Sequence, residues 1–318
     1  MSQTFPEYVD VDYTDGADEG PEDYPTVEEK LGKAIEVTRL ALEQYHNPAV
    51  MWTGGKDSTL VLYFLLEVCA EFDHEVPPVV FIDHYEHFPE TLAFAERWAD
   101  RLDLDLRYAR NDDFGSLGLE PGDEVPVSDL NETNRRELRE KLEYDGERLT
   151  FTADSYEGNH LLKTVALNEI LEDEGFDGVF SGVRWDEQDA RADETFFSPR
   201  HDSEKYPPHD RIHPILGFDE RAVWDAFWHF VVPDLVEGFP TGHVPESSED
   251  LPNELGPEDL PVSPKYFEGF RSLGTQEGSA KSAEQPAWLQ DLEGTTEREG
   301  RAQDKEGVMA RLRDLGYM

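Results

Sequence analysis

The sequence predicts a doubly wound α/β fold around a mainly parallel five-stranded sheet, and two observations carry that prediction. From residue 27 to about 236, short runs rich in Val, Ile and Phe alternate with segments whose apolar residues recur at helical spacing. Strands separated by helices in this way pair in parallel. The first strand also passes through a Gly-Gly turn directly into a helix, in AVMWTGGKDSTLVLYFLLEVC (49–69), the kind of junction at which such sheets meet a ligand.

Residues 1–26 are Asp, Glu, Gly, Pro and Tyr without an apolar period, which predicts a disordered acidic lead. In VEEKLGKAIEVTRLALEQY, Leu31, Ala34, Ile35, Leu42 and Tyr45 fall near helical spacing. AVMWT (49–53) is a short buried strand, and STLVLYFLLEVCAEF a helix apolar on most faces, as a buried helix is. PPVVFIDHY is a second strand, ETLAFAERWADRL a helix and LDLRYARN a third strand. An acidic insertion at 112–158, with one helix at ETNRRELREKLEY, precedes the helix HLLKTVALNEILEDE. GFDGVFSGVR and RIHPILGF are the last strands, and DERAVWDAFWHFVV a helix that closes the domain near 236. Residues 237–318 are Pro-, Glu- and Ser-rich and then polar, and predict a loop-rich extension with a short terminal helix.

Composition narrows the function. Against 28 basic residues stand 72 acidic ones, a net −44 spread along the whole chain. Such a field repels nucleic acid and anionic lipid, so an anionic substrate needs a local positive site. The acidic surface, with Arg favoured over Lys, resembles that of cytoplasmic proteins of salt-saturated organisms. The single cysteine, Cys69, excludes an internal disulfide and a cysteine-held zinc or iron–sulfur site. The N-terminus is acidic where a targeting peptide is basic and apolar, and the longest apolar run, Leu60–Leu66, is too short for a membrane span. A cytoplasmic protein is expected.

A strand, a Gly-Gly turn and a helix together make an anion site: unpaired N–H groups and the positive helix end converge on one point. TGGKDS does not fit the usual NTPase loop, because Val50 stands five before Gly55 and Asp57 follows the lysine. T-G-G-K-D-S (53–58) instead resembles the S-G-G-x-D-S loop of the ATP pyrophosphatases, the PP-loop superfamily, with Thr53 for the usual Ser. GFDGVFSGVRWDEQDARA (175–192) and IHPILGFDERAVWDAF (212–227) resemble patterns of one branch, the sulfate adenylyltransferase small subunits of the phosphoadenylyl-sulfate reductase family. FRSLGT (270–275) and TTEREGRAQDKEGVMARLRDLGYM (295–318) are similar to the tail of that branch.

The resemblance implies a fold of the adenine nucleotide alpha-hydrolase type and an enzyme that joins ATP and sulfate into adenosine 5′-phosphosulfate, releasing pyrophosphate, with Mg2+ as cofactor. Thr53, Gly54, Gly55, Lys56, Asp57 and Ser58 would hold the phosphates, with Gly54 and Gly55 offering N–H groups, Lys56 charge and Ser58 a hydroxyl. Asp57 is either a helix-start cap or an indirect magnesium contact, the cap being preferred. Asp83 matches the aspartate of the family's V-D-T-G, but His84-Tyr85 replace Thr-Gly. His84 and His87 read as plain rim residues rather than as a metal pair, and no metal ligand is assigned. Arg184 and Arg191 would grip a tetrahedral oxyanion, the bland alternative being a salt-bridge network with Asp186, Glu187 and Asp189. Arg298 and Arg301 are weaker candidates, and Trp224 and Trp228 read as core. A GTPase large subunit is the partner implied, with neither nucleic acid nor membrane.

The rivals are a reductase, which needs a tail cysteine that this chain lacks; transfer of adenylate to a flavin phosphate; and a non-catalytic nucleotide-binding subunit. FRSLGT is followed by QEGSAKS rather than the family's Cys-Trp-Pro-Leu, and this keeps the last two open. The charge alone predicts that the thermal unfolding midpoint rises from low salt to about 2 M KCl, as screening removes self-repulsion. A midpoint that falls or stays constant would contradict it.

Overall fold

A computed structural model describes residues 4–188, 191–203, 205–295 and 297. Its centre is a six-stranded sheet in the order β3-β2-β1-β6-β8-β7. The strands are β1 (Pro48–Met51), β2 (Val79–Ile82), β3 (Leu106–Ala109), β6 (Gly178–Phe180), β7 (Phe197–Arg200) and β8 (His209–Ile212); a separate ribbon pairs β4 (Glu124–Pro126) with β5 (Arg148–Thr150). The five expected parallel strands are all present, and β7 adds a sixth, antiparallel at the edge, with Phe197 opposite Ile212 and Arg200 opposite His209. The last parallel strand lies upstream of its expected position: HDRI pairs, and HPILGF turns away from the sheet.

Alternate residues of the strands feed two cores, as a sheet covered on both faces requires. Val50, Trp52, Val79, Phe81, Phe180 and Ile212 face a core shared with α1 (Val27–Gln44), α2 (Lys56–Phe72), α3 (Thr91–Arg101) and α8 (Glu220–Ala226). Ala49, Met51, Val80, Ile82 and Val179 face the other way, against Ala166, Leu167 and Leu171 of α7 (Ala166–Glu174). The α1 start is fixed by a capping box, in which Thr26 Oγ1 accepts from Glu29 N–H and the Glu29 carboxylate from Thr26 N–H. Ile35, read as part of the buried stripe, is instead 40% exposed. Trp224 and Trp228 are buried in the first core, as expected.

The insertion forms its own small unit. Alongside β4 and β5 it carries α4 (Asp112–Leu117), α5 (Glu132–Arg136) running into a π-helical turn at Glu137–Lys141, and α6 (Tyr156–Asn159). Phe114, Leu138, Leu149, Phe151 and Leu161 make a separate core. Buried Asn111 and Asn134 tie it to the end of β3 by reciprocal amide bonds of 2.8 and 2.9 Å. Through α9 (Val232–Leu235) the chain reaches the extension, which has only short 3-10 turns but places Leu260, Val262, Tyr266 and Trp288 in the main core.

The lead differs from the disorder its composition predicts. Tyr8 Oη donates to Asp177 at 2.5 Å, Tyr13 Oη to Asp210 at 2.9 Å, and Lys33 pairs with Asp15 at 2.9 Å. Phe5, Val9, Val11 and Tyr24 pack on the core. Its few aromatics find pockets on the domain, which a count of acidic residues does not register. No helix among the described residues is long and apolar enough to cross a membrane. Removing residues 1–20 is therefore expected to lower the unfolding midpoint in guanidinium, whereas an unchanged midpoint would identify the lead as a passive tail.

Candidate active site

Loops leaving β1, β2, β3, β6 and β8 meet at the carboxyl edge of the sheet, and the strand order reverses between the parallel neighbours β1 and β6, where such sheets hold ligands. After β1 the TGGKDS turn leads into α2. Gly54 takes φ +70°, and a Cβ there would lie 2.6 Å from the Phe94 ring, so glycine is required on both conformational and steric grounds. Thr53 N–H donates to Ser58 Oγ at 3.2 Å, and the two hydroxyls are 3.2 Å apart. Gly182, beyond β6, packs against the start of α2: a Cβ would lie 2.9 Å from the Asp57 carbonyl carbon and from Ser58 N. This close approach delivers Arg184 to the loop.

Lys56 and Arg184 are brought together, each 0% exposed. Lys56 Nζ donates to Glu297 Oε1 at 2.6 Å, Asp57 Oδ2 at 3.1 Å and the Arg271 carbonyl at 3.4 Å. Arg184 donates through Nη2 to Glu297 Oε2 at 2.7 Å, through Nε to Asp186 Oδ1 at 2.8 Å, and through Nη1 to Asp57. Glu297 thus bridges both cations with its two oxygens. Burial alone would raise its carboxyl, but Lys56 and Arg184 outweigh that and hold it well below the usual range. Burial likewise opposes the Lys56 ammonium, and Asp57 and Glu297 reverse the effect and raise it. The energetic weight is large: stranding one partner of a buried ion pair costs about 3–5 kcal/mol, against about 0–1 for an exposed pair.

Arg271, from FRSLGT, anchors the stretch that carries Glu297. It pairs with Glu220 and donates through Nη1 to Thr295 Oγ1 at 2.5 Å. Asp186 accepts from Glu220 N–H at 2.9 Å, joining the two charge clusters. The extension also covers the loop itself. Tyr266 Oη accepts from Lys56 N–H at 3.2 Å, and Ser263 N–H donates to Gly54 O at 3.0 Å.

Two expectations change here. Asp57 is not the cap of α2, which starts at Gly55 without a side-chain bond; its carboxylate turns to the two cations instead. Two of the loop's backbone donors are already engaged: Gly55 N–H meets Thr53 Oγ1 at 3.4 Å, and Lys56 N–H meets Tyr266. The salt-bridge alternative describes the arginines in this closed form. Arg191 is buried and pairs with Glu187, whose charge also acts on Arg184, while its Nε has no hydrogen-bond partner. Asp189, Arg298 and Arg301 lie outside the described residues.

Asp83 sits apart from the loop, at the end of β2, and is 3% exposed. It accepts from Arg110 Nε at 2.8 Å and Tyr85 N–H at 3.0 Å, with His87 at 3.4 Å. Burial would raise its carboxyl, but His87, the Tyr85 N–H and Arg110 bring it down to about 2. Tyr85 holds φ +66°, a left-handed conformation that glycine adopts readily, at the position where the resembled motif has glycine. His84 and His87 differ from the plain rim residues the sequence predicts: His84 is 6% exposed and His87 is half-buried, their rings lie 3.8 Å apart, and burial followed by Lys163 and His87 lowers the His84 pKa. Among the described residues no group of three or more His, Cys, Asp or Glu side chains could hold a metal ion. Mg2+ takes oxygen ligands and is held largely by nucleotide phosphates and water, so Asp57 is the loop carboxylate whose chemistry suits it. Cys69 is buried in α2, and burial pushes its thiol up to about 11.

By fold, then, the protein is an α/β chain of the class that binds nucleotides at the switch point of a parallel sheet. Residues 47–233 match the phosphoadenosine phosphosulfate reductase domain, and the chain belongs to that family. It is 27% identical over 248 residues to sulfate adenylyltransferase subunit 2 of Rhizobium sp. (strain BR816), covering 77% of this chain and 69% of the relative. With the subunit 2 of Pseudomonas fluorescens (strain SBW25) it shares 24% identity over 87% of this chain and 92% of that one. The crystal structure of yeast FAD synthetase in complex with FAD shares the fold, with a TM-score of 0.51 at 14% identity over 89% of this chain and 95% of that one.

Gly182, Tyr266, Arg271 and Glu297 belong to the site although sequence reasoning did not single them out. Gly182, Arg271 and Glu297 lie within the stretches that carried the resemblance, and that was the available signal. Gly182→Ala is expected to destabilise the protein by about 1–3 kcal/mol and to weaken ATP binding, because the added carbon meets backbone. Gly32→Ala, in α1 with nothing within 4 Å, is expected to stabilise it by about 0.5–1 kcal/mol. Calorimetric unfolding with ATP titration checks both, and equal effects of the two substitutions would contradict the packing argument.

Proposed function

We propose that the protein is a sulfate adenylyltransferase of the small-subunit type, forming adenosine 5′-phosphosulfate and pyrophosphate from ATP and sulfate. The observation that carries this reading is the pair of fully buried cations, Lys56 and Arg184, held at the TGGKDS turn. In a chain of net −44 they bring to the loop the two positive donors that a polyphosphate needs, once it takes the place of Glu297. The relatives named as subunit 2 supply the acceptor, sulfate.

In the proposed reaction a sulfate oxygen attacks the α-phosphorus in line, an S–O–P bridge forms, and the bond between the α-phosphorus and its bridging oxygen to the β-phosphorus breaks. Both electrons of that bond leave with pyrophosphate. Lys56 and the first turn of α2 hold the departing β and γ phosphates, and Ser58 offers a hydroxyl there. Arg184 holds charge near the reacting centre, and Arg191, released from Glu187, would grip sulfate. Asp83, with Arg110, lies at the rim toward the nucleoside. Mg2+, when bound near Asp57, would neutralise phosphate charge. Positioning and fixed charge supply the acceleration, and the step as written needs no acid–base pair. Because a phosphosulfate anhydride is costly to form, a GTPase large subunit that couples hydrolysis to synthesis completes the proposal. A salt-rich cytoplasm is the proposed setting.

Against a reductase stands Cys69, buried and with a raised pKa far from nucleophilic. A second reading, adenylyl transfer to a flavin phosphate, takes its support from the fold shared with yeast FAD synthetase. Pyrophosphate release from ATP, measured in magnesium and about 2 M KCl with and without a GTPase partner, is expected to require sulfate and to fall about 100-fold or more in Lys56→Ala. Release that needs flavin mononucleotide instead would establish the second reading. ATP binding without turnover under every condition would contradict both.

A further inference from the structure

We infer that Glu297 is an internal competitor of the nucleotide: its carboxylate occupies the phosphate position of the loop, and ATP or pyrophosphate enters only when the tail stretch that bears it is displaced. The inference rests on the reading of TGGKDS as the phosphate-binding turn. Its own support lies in what Glu297 touches. One carboxylate oxygen takes the Lys56 ammonium at 2.6 Å and the other takes Arg184 Nη2 at 2.7 Å, the two charged donors that a phosphate group would use. Two oxygens of one anion bridging an ammonium and a guanidinium is the arrangement expected of a bound phosphate. A phosphate and this carboxylate cannot share those donors, because like charges would then meet in a buried site.

The occupation is built in by several independent contacts. Arg271 holds the tail stretch at Thr295, through Nη1 to Oγ1 at 2.5 Å, and is itself fixed by Glu220. Tyr266 Oη accepts from Lys56 N–H at 3.2 Å, and Ser263 N–H donates to the Gly54 carbonyl at 3.0 Å. The extension therefore satisfies, with a carboxylate and a phenol, the ammonium and the helix-start N–H that the nucleotide would otherwise satisfy. The device has a physical reason. Asp57 and Asp186 already pair with the two cations, but Arg184 Nη2 and part of the Lys56 ammonium would be left buried and unpaired without a further anion, so Glu297 fills that position and sets a threshold that substrate has to exceed.

The test is titration of the full chain with inorganic pyrophosphate by calorimetry in wild type, Glu297→Gln, Glu297→Ala and Glu297→Ala combined with Lys56→Ala. The glutamine keeps the shape and loses the charge, so affinity is expected to rise about 10-fold or more in both single variants, the factor by which a closed majority form masks intrinsic binding, and to be lost in the double variant. Because a variant could fail to fold, a second measurement uses wild type alone. Amide hydrogen exchange of the peptide spanning 291–297 is expected to speed up when pyrophosphate is added. Equal affinity in wild type and Glu297→Gln, or exchange unchanged or slowed while pyrophosphate binds, would overturn the competitor role and leave the loop assignment standing. Pyrophosphate binding that is absent from every variant, or indifferent to Lys56, would instead overturn the loop assignment.

Discussion

The structure depends on two positive charges buried between β1 and β6. Lys56 arrives on the first turn of α2 and Arg184 on the loop after β6, and both are fully buried. Neither charge is tolerable alone in that position, since an unpaired buried ion costs several kcal/mol. Asp57, Asp186 and Glu297 make the position stable, and they come from three separate parts of the chain. The carboxyl edge of the sheet is therefore a charge cluster whose balance an anionic ligand would alter. In a chain of net −44, this cluster holds two fully buried cations side by side.

The fold serves that arrangement in two ways. The parallel sheet, whose strand order reverses between β1 and β6, separates the crossover connections at the strand ends. The small residues Gly54 and Gly182 then let the two loops approach as closely as backbone allows. The extension, though almost without regular structure, is tied in by Tyr266 and Trp288, which pack with Trp224 in the main core. Its Ser263, Tyr266 and Arg271 are consequently fixed relative to the loop, and a segment that reads as loop-rich behaves as the roof of the site.

Much of this was legible in the sequence, for definable reasons. β1, β2 and β6 are buried on both faces and so read as apolar runs, and TGGKDS announced its turn because paired glycines followed by charge at a strand–helix junction suit an anion. Arg184 was legible through the pattern around it. β7 was not, because Phe197–Arg200 mixes apolar, proline and charged residues and pairs only at an edge. The order of the lead was hidden in a composition dominated by acid, although its tyrosines donate to buried Asp177 and Asp210. Tyr85 shows the limit of motif comparison: the side chain differs from glycine, yet the backbone takes φ +66°. Glu297 lies 241 residues from Lys56 along the chain, and no local pattern announces a contact at that range.

The central claim is that Lys56 and Arg184 form an anion cradle at the TGGKDS turn. A crystal structure of the protein grown with a non-hydrolysable ATP analogue tests it most directly. The account predicts the β and γ phosphates against Lys56 and the first turn of α2, with the Glu297 carboxylate no longer between the cations. An analogue bound elsewhere, with Glu297 still bridging Lys56 and Arg184, would contradict it.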